Sequence, residues 1–234
     1  SFPEVELEKE RYKQIADLEN EKSSPDFLAH RRMGKALFTP HPYSLFKSMD
    51  SLNAITRQDL QEYHSTYFVP ENSVLILAGD ISWDEATILV DKYFSGWRSS
   101  PSPQIDFDQP KSPQKPVIQL VNRPHSQQTN ILLGNLLFSR NHPDFEKMAV
   151  LSKILGGSSS GRLFLNLREE KGYTYGAYST LNTYRESGAF LASAEVRTEV
   201  TVPALQAFHE EFDRIKKEPV QAEELESAKR YLRG

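Results

Sequence analysis

The sequence predicts an α+β fold, with a mostly antiparallel sheet packed against helices. Segments of helical periodicity and short apolar runs are mixed without a βα repeat, which argues against a parallel sheet. The 234 residues are 38% hydrophobic and 11% aromatic, enough to bury a sizeable core. Five prolines fall within 98–116, and this density favours extended backbone over helix or central strand. We therefore expect a linker at 98–116 between folded segments at 1–97 and 117–234.

The first segment predicts four helices and one strand. Apolar residues at helical spacing predict the first helix, and Ser24-Pro25 is a typical start for the second. Capping signatures begin the third and fourth helices at Thr56 and Ser82. The apolar run 73–78, closed by Gly79, predicts a buried strand. A lone strand cannot form a sheet, so this segment lacks a partner for it.

The sequence of the second segment predicts a sheet, with helices between its strands and after them. We expect strands at 117–121, 129–138, 173–184 and 189–196, the last two joined at the turn 186–188. We expect helices after His142-Pro143, at 162–170, at 202–217 and at 222–232.

Composition excludes several function classes. A net charge of −4 gives no footprint for a polyanion, and no run of Lys and Arg exceeds two, so we expect no nucleic-acid or membrane partner. The absence of cysteine excludes a thiol nucleophile and a disulfide framework. No signal peptide, membrane-length apolar stretch or initiator Met is present, so we expect a chain processed or excised from a longer one.

The glycine–serine loop 156–161 is open to three interpretations. It lacks the Lys and Ser/Thr that a phosphate-binding loop requires, because Arg162 and Leu163 follow it. It matches G-x-S-x-G around Ser159, but a helix rather than a strand precedes it, which argues against a serine nucleophile. The third interpretation, a helix stop with exposed amides, is favoured by the physics.

Metal ligation has no support from the residues alone. No two of the six histidines have the spacing of H-E-x-x-H or H-x-x-E-H. We therefore interpret each histidine as a surface or capping group.

Arg168 and Tyr175 lie seven residues apart across a helix end, a glycine stop and a tyrosine-rich strand. A guanidinium and a phenol at such a corner could both hydrogen-bond a backbone carbonyl or an oxyanion. In the alternative, Arg168 pairs with a nearby carboxylate and the tyrosines pack as strand residues.

The string LGGSSSGRLFLNLREEKGYTYGAY, at 155–178, resembles the pitrilysin/insulinase family of zinc metallopeptidases, the inverzincins. The resemblance implies LuxS/insulinase-like metalloenzyme domains, with 1–97 the later half of a first domain and 117–234 the earlier half of a second. It implies that Arg168 and Tyr175 contact substrate, beside the backbone of Gly156 and Gly157. The family's third zinc ligand falls on Asp17, while H-x-x-E-H is not in this chain.

The resemblance implies a non-catalytic portion of a zinc metalloendopeptidase, inactive alone. It would bind extended peptide and supply Arg168 and Tyr175 to a zinc site elsewhere, with no cofactor in this chain. The implied partners are a peptide substrate and the missing H-x-x-E-H-bearing half or subunit, or a second copy of the chain. The alternatives are a structural or assembly subunit and, more remotely, a serine hydrolase. The implied compartment is the bacterial periplasm or cytoplasm, with the periplasm preferred.

Overall fold

The computed structural model describes residues 2–101 and 103–234. Its α-helices are α1 (Glu4–Glu21), α2 (Pro25–Phe38), α3 (Met49–Ala54), α4 (Arg57–Tyr67), α5 (Trp83–Phe94), α6 (Phe145–Gly156), α7 (Arg162–Phe164), α8 (Thr201–Lys217) and α9 (Ala222–Arg233). Its strands are β1 (Gln128–Leu137), β2 (Thr174–Thr183) and β3 (Gly188–Arg197). A π-helical segment, Leu165–Glu170, continues α7. The predicted α+β class is confirmed.

The described residues form two compact units. The first unit comprises Ser1–Glu19 and Lys47–Asp106, and the second comprises Asn20–Phe46 and Phe107–Gly234. Residues 20–46 thus belong with the sheet, although they precede the proline-rich stretch. The assignment of 1–97 and 117–234 to halves of two peptidase-like domains remains a prediction.

The sheet of the second unit is antiparallel, in the order β1-β3-β2. Gln128 pairs with Arg197 and Leu137 with Gly188, without interruption between them. Because β3 is central, nearly all of its side chains are buried, whereas β2 alternates between covered and open positions.

Each face of the sheet has its own apolar core. One face packs against α6–α8 through Phe190, Ala192, Ala194 and Val196. The opposite face packs Ala189 and Leu191 against α2. Alternate residues of β3 therefore serve opposite cores, as the two-residue period of a strand requires. Gly134 permits the close approach of β3, because a Cβ there would lie 2.6 Å from Cδ2 of Leu191 and 3.0 Å from the Phe190 carbonyl oxygen.

Side-chain caps set the starts of four α-helices, α2 to α5. Ser24, Thr56 and Ser82 each accept a backbone N–H of the following turn, as predicted. Ser48 forms a further capping box for α3, a helix that the sequence analysis did not predict.

In the first unit, side-chain hydrogen bonds join neighbouring segments. The Arg11 guanidinium donates to the carbonyls of Leu52 and Ile55. Nε1 of Trp97 donates to the Phe68 carbonyl at 3.2 Å. Polar contacts to main-chain carbonyls thus join helices whose apolar side chains are mostly exposed.

Two strand predictions are wrong. Neither 73–78 nor 117–121 is a strand, although both are extended and apolar. Val74 is 88% exposed and Ile118 is 94% exposed. Among the described residues, no backbone hydrogen bond joins 74–77 or 117–121 to another segment. A strand requires a hydrogen-bonding neighbour, and these runs have none within the described chain.

No helix in the described part of the chain is long and apolar enough to cross a membrane.

Candidate functional site

A tight corner joins the π-helical segment to β2. Gly172 adopts φ +62°, and its N–H donates to the Arg168 carbonyl at 3.1 Å. The Tyr173 N–H donates to the Leu167 carbonyl at 2.9 Å. This is a glycine-terminated helix end, so the glycine stop predicted from the sequence is present. Leu167 is fully buried and anchors the corner to the core.

Tyr175 projects from a bulge at the start of β2. The pairing with β3 shifts between Thr174 and Ala177, so Tyr175 lies at the irregularity. The Thr174 hydroxyl donates to the Glu195 carbonyl at 2.7 Å and accepts from the Gly176 N–H at 3.1 Å. Tyr175 is 90% exposed. The alternative interpretation expected Tyr175 to pack as an ordinary strand residue. Its exposure shows that it does not.

Arg168 lies at the other side of the corner. Its guanidinium lies 4.9 Å from the ring centroid of Phe164 and forms an ion pair with Glu169. The pairing with a nearby carboxylate, expected in the alternative, is present. The Arg168 side chain is nevertheless partly exposed, so one face of the guanidinium remains open to solvent.

Gly156 and Gly157 have packing roles. A Cβ on Gly156 would lie 2.6 Å from the Ser179 backbone nitrogen, so α6 approaches β2 more closely than an alanine permits. The Gly157 N–H caps the end of α6 through the Ser152 and Lys153 carbonyls. Direct contact of these glycines with a peptide remains a prediction.

The helical residues that precede this corner make polar contacts that the sequence analysis did not predict. Arg162 is 7% exposed and donates to both carboxylate oxygens of Glu224 at 2.7 Å. These hydrogen bonds hold the pKa of Glu224 below its usual range and raise the pKa of Arg162. Nδ2 of Asn166 donates to Glu211 at 2.6 Å. The start of α7 is thus joined to α9, and the π-helical segment is joined to α8.

These residues differ in whether a local sequence pattern indicates their contacts. Glu224 lies 62 residues from Arg162, so no local pattern connects them. Thr174, two residues after Gly172, has a hydroxyl that could have suggested an irregular strand start.

The residues present do not fit a zinc site. Asp17 is exposed on α1, and no group of three His, Asp or Glu side chains in the described part of the chain is arranged to hold a metal. His41 and His142 use Nδ1 to accept the backbone N–H of Tyr43 and Asp144, respectively, in agreement with the capping interpretation.

The serine alternative gains no support from its neighbours. Ser159 follows the end of α6, as predicted, rather than a strand. The adjacent hydroxyls of Ser158 and Ser160 hydrogen-bond each other at 2.9 Å. This is a local loop contact, not the base-assisted arrangement of a nucleophile elbow.

The sheet, its two helical layers and this corner define a mixed α/β domain without a metal site of its own among the described residues. Residues 54–232 match the sequence profile described as the peptidase M16 inactive domain, and the chain belongs to this family.

Relatives and solved structures agree with that assignment. An uncharacterized zinc protease of Mycobacterium leprae is 31% identical over 85% of this chain and 45% of its own length. An uncharacterized zinc protease of Bacillus subtilis is 25% identical over 100% of this chain and 56% of its own length. A crystal structure of a peptidase M16 inactive domain from Pseudomonas fluorescens superposes with a TM-score of 0.90 at 30% identity, covering 100% of this chain and 57% of that one. The chain thus spans about half the length of the relatives it matches.

Proposed function

We propose that this chain is the non-catalytic portion of a zinc metallopeptidase. In this proposal it binds extended peptide and supplies Arg168 and Tyr175 to a zinc site carried elsewhere. The supporting observation is the exposed position of Tyr175 on the bulge, beside the corner that carries Arg168. A phenol held in solvent by a structured irregularity is available to a ligand.

The chemistry of the two side chains suits a peptide under attack. Arg168 is always cationic, and a phenol donates one hydrogen bond, so both can stabilise negative charge that develops on a carbonyl oxygen. When bound in the complete enzyme, zinc would supply an activated water. This chain's residues would bind and orient the peptide.

The exposed runs 74–77 and 117–121 support the need for a partner. Each presents unpaired backbone groups and apolar side chains over strand length. Added strands from an H-x-x-E-H-bearing half or subunit, or from a second copy, would cover each run separately.

The decisive experiment uses the completed assembly of this chain with its H-x-x-E-H-bearing half or subunit. We expect Arg168→Ala and Tyr175→Phe each to lower kcat/KM for an extended peptide by about 10²-fold. The matched controls, Arg185→Ala and Tyr93→Phe, also change exposed side chains and should leave kcat/KM unchanged. Zinc content and assembly mass are measured for every variant.

Unchanged turnover in an intact, zinc-loaded assembly would support the structural or assembly subunit instead. The chain alone provides an independent check. It should contain no stoichiometric zinc and cleave no peptide, and chelator-sensitive hydrolysis by the purified chain would contradict the proposal.

A further inference from the structure

A cationic cleft lies on the second unit, on a face of α2. The cleft has a volume of about 370 Å³. Its lining combines three apolar side chains with four cations: Phe27, Leu28 and Val121 with Lys22, Arg31, Arg32 and Lys35. No Asp or Glu lines it, although the whole chain carries a net charge of −4.

The positions of the cations follow from the helix. Leu28, Arg32 and Lys35 recur at intervals of four and three along α2, which places them on one side of it. Lys22 precedes the helix, ahead of its Ser24 cap. The sequence analysis overlooked this arrangement because it searched for consecutive runs of Lys and Arg.

One of these cations is positioned by aromatic rings. The Arg31 guanidinium lies 6.0 Å from the Phe27 centroid and 5.6 Å from the Phe46 centroid. The nearest acidic residue of the helix, Asp26, is engaged by Nδ1 of His30 at 3.2 Å. The Asp26 carboxylate thus contacts His30 rather than a cation that lines the cleft.

The exposed run 117–121 borders the same cleft through Val121. Its backbone makes no hydrogen bond to another segment within the described residues. An extended peptide lying in the cleft would meet an apolar floor and a cationic rim together. Acidic and apolar side chains are complementary to that combination.

We propose that this cleft binds an acidic, partly apolar segment of an extended peptide, at a subsite separate from Arg168 and Tyr175. Acidic side chains pair with Lys22, Arg32 and Lys35, while an apolar side chain rests on Phe27 and Leu28. The proposal concerns binding alone and does not depend on a zinc site.

The test measures fluorescence anisotropy of a fluorescein-labelled nonapeptide of alternating Glu and Leu, titrated with the 234-residue chain. Two matched peptides replace every Glu by Gln or every Leu by Ser. We expect the Glu/Leu peptide to bind at least about tenfold more tightly than either matched peptide. Binding should weaken between 0.05 M and 1 M salt, because the screening length falls to about 3 Å.

The variant Lys22→Gln/Arg32→Gln/Lys35→Gln should lose about tenfold in affinity, since three exposed ion pairs together are worth about one order of magnitude. The control Lys111→Gln/Lys115→Gln/Lys216→Gln removes the same charge at exposed sites outside the cleft lining and should bind like the wild type. All of these positions are exposed, and circular dichroism confirms folding.

Arg185→Ala, which removes an exposed cation outside the cleft lining, should also bind like the wild type. Turnover of the Arg168→Ala assembly tests the proposed function, whereas peptide binding by the triple variants tests the cleft. Equal affinity of both triple variants, or equal binding of the Glu and Gln peptides, would overturn the cleft assignment. Binding to anionic phospholipid vesicles without binding to the acidic peptide would overturn it as well.

Discussion

The two units of this chain differ in how far they bury their apolar residues. In the second unit, β3 is buried on both faces, with Phe190 on one and Leu191 on the other. In the first unit, α5 has no buried residue, and Ile88 remains 65% exposed. Capping does not explain the difference, because the exposed α5 has a complete capping box whereas α8, which contributes to the core, has no side-chain cap. The difference teaches that caps determine where a helix begins, whereas burial requires a packed neighbour.

The largest expected difference between the units lies in amide hydrogen exchange. Amides of β3 should exchange at least about 10³-fold more slowly than those of 74–77, because only the former are held in a sheet on both sides. Exchange mass spectrometry of the chain measures both. Adding the H-x-x-E-H-bearing half should protect 74–77, and equal protection in the isolated chain would break the comparison.

Truncating one leucine in each unit sharpens the contrast. Leu167→Ala removes a fully buried side chain and should lower the free energy of unfolding by about 3 kcal/mol. Leu77→Ala makes the same chemical change at a half-exposed site and should change it by less than about 0.5 kcal/mol. Urea denaturation followed by circular dichroism gives both values. A similar cost at both sites would show that 74–77 is packed.

The Arg162–Glu224 pair makes the second unit sensitive to acid. Arg162→Met should destabilise the chain by about 2–3 kcal/mol, because the partly buried Glu224 carboxylate loses its cation, whereas Glu211 keeps Arg214. The exposed pair of Arg197 and Glu199 is the control, and Arg197→Met should have little effect.

The pH dependence of this pair has a definite sign. The pKa of Glu224 is lower in the folded chain than its ordinary value of 4.5, chiefly because Arg162 donates hydrogen bonds to it. The stabilisation is therefore complete above that value and is lost as the pH falls through the lower folded pKa. Glu224→Gln should flatten the acid limb of a plot of unfolding free energy against pH, and an unchanged limb would contradict this assignment.

The smallest expected effect comes from two glycines with open space around them. Gly172→Ala should cost about 1 kcal/mol, because φ +62° strains any side chain and no neighbouring atom contributes. Gly96→Ala, in the first unit, lies at an ordinary backbone angle and should be neutral or slightly stabilising. Thermal denaturation distinguishes them. Equal effects would mean that the corner tolerates a right-handed backbone.

The same contrast explains which helices and strands could be predicted from the sequence. The caps at Ser24, Thr56 and Ser82 were predictable because each involves residues three apart. The runs at 73–78 and 117–121 have the composition of strands, but a strand also needs a partner, which composition cannot supply.

The candidate site was predictable only in outline. Arg168 and Tyr175 were found through a motif, and the glycine stop between them through its residue type. The bulge that exposes Tyr175 depends on a hydroxyl reaching a carbonyl across the sheet, at Glu195. The ion pair between Arg162 and Glu224 depends on the fold bringing α9 to α7. Both are long-range consequences that no local pattern encodes.

The bulge in β2 has a consequence for how this surface can change over generations. The bulge adds one residue to β2 relative to β3. The side of the sheet on which a side chain lies before the bulge is therefore independent of the side on which side chains lie after it. Substitutions that repack β2 against α6 can accumulate without turning Tyr175 toward the interior. Deleting Gly176, by contrast, would restore an uninterrupted ladder, set Tyr175 opposite Glu195 and tie its orientation to that of the rest of β2. One inserted residue thus lets the exposed phenol and the buried sheet vary separately.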